Sequence, residues 1–173
     1  MIISVSEAKE LVIFKDWSDK KIEKKLKAIE QTIRSYTKNN FQNRCIRSEC
    51  GVIAQKIHGN VPGINVGDTI QISESKFSNG LYVVNAIEDR LITVDKNLID
   101  EPHVLVTKVE YPEDVVDCAV NLLEWAVKYG GKVGVKSETL SRHSVTYEDS
   151  ATLYMGYPVS ILGCLKSYRK ARC

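Results

Sequence analysis

Five residues of the types that carry acyl-transfer chemistry fall between positions 141 and 149: Ser141, His143, Ser144, Glu148 and Asp149. A hydrolase needs a hydroxyl nucleophile, an imidazole base and a carboxylate that orients the ring. Working triads draw these groups from separate elements, because near neighbours in sequence seldom reach the required geometry. No Gly-x-Ser-x-Gly turn flanks either serine, so nothing here exposes a nucleophile on a strained strand-to-helix junction. Glu148-Asp149 reads instead as an exposed turn or a salt-bridge partner for Arg142. His58 and His103 stand apart in a β-rich stretch. Of the five cysteines, only Cys45 and Cys50 are close, and zinc would need a second pair or histidines at ligand spacing. A phosphate-cradling glycine loop, an HExxH helix and a metal-spaced carboxylate cluster are also missing. The residues therefore predict no catalytic group, no metal and no cofactor, and a protein that is not an enzyme.

The elements that would position these residues are well marked. Tyr111-Pro112-Glu113-Asp114 through Tyr129-Gly130-Gly131 reads as one helix. Pro112 loses no N–H in a first turn, Glu113, Asp114 and Asp117 suit the positive end of the dipole, and Gly130 suits a left-handed cap. Val115, Ala119, Leu122, Ala126 and Tyr129 line one face, with Val116, Val120, Leu123 and Val127 beside it. Only a narrow polar strip remains, through Asp117, Asn121, Glu124 and Lys128, so this helix needs cover on more than one side. Upstream, Ser4-x-x-Glu7 is a capping box ahead of a short helix. A longer helix follows with a seam of Ile22, Leu26, Ile29, Ile33 and Tyr36. Its other side carries Lys20, Lys21, Lys24, Lys25 and Lys27, a solvated face or a contact for phosphates or an acidic surface.

From Cys50 to Val109 the pattern alternates. Five β-rich runs (52–57, 69–72, 81–87, 91–95 and 104–109) are separated by turns such as Asn79-Gly80. After the helix, residues 132–150 are rich in hydroxyls, and Val133/Val135 and Val145/Tyr147 alternate with polar neighbours, as in an extended arm that adds itself to another subunit. Tyr157-Pro158 opens a last amphipathic stretch with Ile161, Leu162, Leu165 and Tyr168, closed by Lys166, Arg169, Lys170 and Arg172. The chain has 173 residues and a net charge of +2, too small to demand nucleic acid or a membrane. It has no export signal or bilayer-length apolar run, and its scattered cysteines suit a reducing cytoplasm. The expected fold is α+β: a bundle of three to four helices from 1–49 and 110–173, with a small antiparallel β-barrel or sandwich inserted at 50–109.

Several blocks in order carry a resemblance. They are Ser6-Glu7-Ala8-Lys9, Ala28 to Thr37, Asn40-Phe41-Gln42-Asn43-Arg44, Pro112-Glu113-Asp114-Val115, Ser137-Glu138, Ser144-Val145-Thr146-Tyr147, Gly156-Tyr157-Pro158 and Ile161-Leu162-Gly163. Together they resemble tailed-bacteriophage head-tail connector proteins, also called head-completion or adaptor proteins. The β segment departs from the smallest members, which join their helices directly. The resemblance implies a structural virion protein at the head-tail junction, assembled in the host cytoplasm. Its subunits would form a ring, commonly of twelve copies, beneath the portal protein, and would carry a tail-completion or stopper protein. The residues implied at subunit or portal interfaces are Val133, Val135, Leu140, Val145 and Tyr147 in the arm, with Tyr157, Ile161, Leu165 and Tyr168 near the C-terminus. Candidates to line a DNA channel, in transient and sequence-blind contact with the genome, are Lys20, Lys24, Lys27, Lys166, Arg169 and Lys170. The rival reading is a small nucleic-acid-binding module that uses the β segment and the basic patches.

Overall fold

The computed structural model describes residues 2–14, 16–130, 137–140, 143–146 and 153–171. They divide into two compact units, residues 40–111 and residues 2–39 with 112–173.

The first unit overturns the expected fold class. It is not a small insert in a helical bundle but a closed six-stranded antiparallel barrel, the largest β structure among the described residues. Its strands are β1 (Gln42–Ile53), β2 (Lys56–His58), β3 (Thr69–Ser73), β4 (Gly80–Glu88), β5 (Leu91–Val94) and β6 (Glu101–Val109). They run in the order β1-β2-β5-β4-β3-β6, and β6 closes onto β1 through pairs such as Cys50↔Val104 and Gln42↔Val109. Period-two alternation sends Ile70 and Ile72, Tyr82 and Val84, Ile92 and Val94, and Val104 and Val106 inward. Cys50, Val52, Ile57 and Leu98 complete a core that belongs to the barrel alone.

Two features hid this closure. Residues 42–49, which the sequence assigns to the helical part, form the first two-thirds of β1; most point outward and carry no apolar alternation. The run 52–57 is a hairpin, not one strand: Ala54 (φ 52) and Gln55 (φ 62) turn the chain in the left-handed region, where glycine or asparagine normally signals a turn. The Asp100 carboxylate holds this turn by accepting from both Ala54 N and Gln55 N at 3.0 Å.

In the second unit, the Ser4 capping box is present at α1 (Val5–Leu11), with Glu7 N donating to Ser4 Oγ at 3.2 Å and Ser4 N to Glu7 Oε2 at 2.7 Å. The seam of α2 (Asp19–Thr37) is completely covered at Ile22, Leu26, Ile29 and Ile33, all 0% exposed. Glu30 is also buried there, and Arg34 one turn on neutralises it at 3.1 Å. On α3 (Glu113–Tyr129), Val115, Cys118, Ala119, Leu122, Leu123 and Ala126 are buried, whereas Val116, Val120 and Val127 are only half-covered. Gly130 does not take the expected left-handed cap: it stays right-handed (φ −60, ψ −20) and donates to Ala126 O at 3.0 Å. The C-terminal stretch Ile161–Tyr168 is a 3-10 helix. At three residues per turn it stacks Leu162, Leu165 and Tyr168 on one side, and the two leucines are fully buried. Two short hairpins complete the unit: β7 (Ser137–Leu140) with β8 (His143–Thr146), and β9 (Leu153–Tyr154) with β10 (Tyr157–Pro158).

Candidate assembly surfaces

The sequence-predicted groups are placed unevenly. His58 is half-buried on β2, and His103 is exposed on β6 with Nε2 3.4 Å from Glu74. His143 and Ser144 belong to β8, whereas Ser141, Glu148 and Asp149 lie outside the described residues. Cys45 is exposed and Cys50 faces the barrel core, where burial pushes its thiol up to about 11. Burial, then contact with the Cys164 thiol, likewise raises that of Cys118 on α3. Both groups are thus protonated packing residues with little nucleophilic character.

Val133, Val135 and Tyr147 also lie outside the described residues. Leu140 and Val145 belong to the ribbon β7–β8, in which Leu140 pairs with His143 and Val145 with Glu138. The extended segments expected to pair with a neighbour pair first with each other, and with no third strand among the described residues. Tyr157 and Leu165 are covered by their own unit, Ile161 is half-buried, and the half-buried Tyr168 donates its hydroxyl to Asp114 at 2.8 Å. That bond and the Asp114 charge hold the Tyr168 phenol above its usual range. The Tyr157 hydroxyl is buried without a hydrogen-bond partner among the described residues; Trp125 and Lys25 lie against its ring, at 5.7 and 5.0 Å.

Of the basic candidates, Lys20 and Lys24 are exposed, and Lys27 is exposed but paired with Glu23 at 2.7 Å. Lys166, Arg169 and Lys170 are exposed near the C-terminus, with the Arg169 guanidinium 5.2 Å from the Tyr36 ring. The lysine face of α2 turns out to border a groove of about 580 Å³. Trp17, Ala28, Ala126, Val127 and Gly130 line it, with Lys21, Lys24 and Lys25 at its rim. Lys21 Nζ lies 4.2 Å from the Trp17 ring, a cation–π contact that holds the charge beside the apolar floor. None of the three rim lysines has a carboxylate partner among the described residues. On α3, Asp117, Asn121, Glu124 and Lys128 form a second concave surface with Trp125, Tyr129, Ile161 and Cys164.

The barrel carries a surface that sequence reasoning missed. Glu101 is only 7% exposed; its carboxylate accepts from Ser75 Oγ at 2.5 Å, Lys76 N at 2.7 Å and Phe77 N at 3.4 Å. The Ser75 hydroxyl bond, then the Lys76 amide, hold that carboxyl below its usual range. Ser78 N donates to Ser75 Oγ at 2.6 Å and Ile99 N to Ser78 Oγ at 3.2 Å. These bonds pin the loop, which presents Phe77 67% exposed; Ile99, tied to it through Ser78, and Ile53 at the end of β1 are also exposed. The available signals were Ser75-x-x-Ser78-Asn79, a sequence rich in turn-forming hydroxyls, and the acidic pair Asp100-Glu101 ahead of an apolar strand; their meeting is not local in sequence. Tyr82, by contrast, points into the barrel with its hydroxyl on Ser78 O, so it offers no face for stacking a base.

Comparison of the sequence with models of known protein families and with characterised proteins yields no match.

Proposed function

We propose that this chain is a structural head-tail connector of a tailed bacteriophage, an adaptor that rings the exit beneath the portal and receives the tail or stopper. The supporting observation is the ribbon β7–β8. An isolated two-stranded hairpin is marginally stable in water, and neither outer edge of this one pairs with a third strand among the described residues. A neighbouring subunit or the portal would satisfy those edges by strand addition. The order of the sequence blocks that resemble connectors supports the same reading. So do the half-covered Val116, Val120 and Val127 on α3, a face that a second copy would cover. Repetition around a ring makes modest contacts hold, because each further contact is intramolecular once the first has formed. Genomic DNA would meet Lys20 or the basic C-terminal segment only transiently and without sequence preference.

The test is deletion of residues 132–150, followed by electron microscopy of the protein alone and mixed with a candidate portal. Loss of rings and of portal binding is expected. Unchanged rings and portal binding would refute the clasping role.

A further inference from the structure

The helical unit carries two surfaces of opposite character, a groove between α2 and α3 and an acidic strip along α3. At 3.6 residues per turn, Ala126 and Gly130 of the groove lie about half a turn from Asp117, Asn121, Glu124 and Lys128 on α3, and Val127 about a quarter of a turn. The groove side offers an apolar floor and three lysines without carboxylate partners among the described residues. The opposite side offers Asp114, Asp117 and Glu124 against the single Lys128, which already spans to Glu124 at 3.1 Å. Half-buried Ile161 and Trp125 give that side apolar area of its own. A surface and its electrostatic complement on opposite sides of one subunit cannot meet within that subunit. They can meet between copies, and such an interface is head-to-tail, the kind that closes into rings or extends into filaments.

We propose that the lysine-rimmed groove of one copy receives the acidic α3 strip of the next, so that Lys21, Lys24 and Lys25 face Asp117 and Glu124 across the interface. The inference rests on the connector reading and names the surfaces its ring would use. Shape and apolar contact hold the copies together, while the charges set orientation and reject a groove-to-groove or strip-to-strip approach. An isologous pairing would oppose like charges on both sides.

A charge swap tests it. One variant carries Lys21→Glu, Lys24→Glu and Lys25→Glu; the other carries Asp117→Lys and Glu124→Lys. All five positions are exposed or half-buried, and circular dichroism melts check that both variants fold. In sedimentation velocity at low salt, the wild type is expected to self-associate, and each variant alone to do so at least about a hundredfold more weakly. An equimolar mixture should regain assembly, because each reversed surface then meets a reversed complement. The inference is overturned if the wild type stays monomeric to the highest attainable concentration, if either variant assembles as the wild type does, or if the mixture stays dissociated. Portal binding separates the two readings. A mixture that reassembles but ignores the portal keeps this interface and sinks the connector. Variants that bind the portal yet do not recombine do the reverse.

Discussion

Two buried tyrosines set the two units side by side. In the barrel, Tyr82 is 8% exposed and its hydroxyl donates to Ser78 O at 2.9 Å. In the helical unit, Tyr157 is 5% exposed and its hydroxyl has no partner among the described residues. The same contrast runs through the strands. Each barrel strand has two neighbours and the sheet closes, whereas β7–β8 is a ribbon with two open edges among the described residues. It also runs through the charges: Glu101 and Asp100 accept from amides of other barrel loops, at Lys76 and at Ala54 and Gln55, whereas Lys21, Lys24 and Lys25 have no carboxylate among the described residues. In the barrel, strands and carboxylates find their partners within the same unit, whereas in the helical unit the ribbon edges and the Tyr157 hydroxyl have none, and the three lysines no carboxylate, among the described residues.

The largest effect that could break this contrast is in the barrel core. Ile70→Ala, at a side chain with no exposure, should cost about 2–5 kcal/mol in urea unfolding. That loss should be independent of protein concentration, because every barrel strand pairs within the barrel. A concentration-dependent loss would place the barrel in the assembly interface. Next come the tyrosines. Tyr82→Phe leaves the Ser78 carbonyl without its donor and should cost about 0.5–1.5 kcal/mol, whereas Tyr157→Phe removes an unpaired buried hydroxyl and should be neutral or stabilising by up to about 1 kcal/mol. A Tyr157→Phe loss as large as that at Tyr82 would mean that the hydroxyl is satisfied in the assembled protein.

The smallest effect is local and set by acid. The carboxyl of Glu101 is held below its ordinary value by Ser75 and the Lys76 amide, and that of Asp100 by the Gln55 and Ala54 amides. A carboxyl depressed in the folded state adds stability that is present above its unfolded value and lost as pH falls through its folded one. The Lys76, Phe77, Ala54 and Gln55 amide resonances should therefore hold still through the ordinary carboxylate range and move together below it. Glu101→Gln should abolish the acid shift at Lys76 and Phe77 while leaving that at Ala54 and Gln55. Movement of all four within the ordinary range would mean that these carboxyls are not held.

What the sequence makes legible is what local chemistry decides. The Ser4–Glu7 box and the Ile22/Leu26/Ile29/Ile33 part of the α2 seam need only a few neighbouring residues and stand in the structure, while Tyr36 at the seam's end is half-buried and Pro112 caps α3 from just outside its first turn. Barrel closure depends instead on Gln42 meeting Val109, a pairing across the whole unit that no local period records. The C-terminal segment was legible as amphipathic but not as 3-10, because Leu162 and Leu165 fit a three-residue period as well as a helical one. The groove between the α2 lysines and Trp17 needed α3 beside α2, so the sequence exposed its charges but not its floor.

The Ala54-Gln55 turn adds a consequence of its own. Both residues lie where L-amino acids are crowded, with φ of 52 and 62, and neither is glycine. The mirror-image amino acid has that region as its natural home. A semisynthetic chain with D-alanine at position 54 should close the β1–β2 hairpin with less resistance than the natural one, which leaves Asp100 as the clasp the natural enantiomer requires.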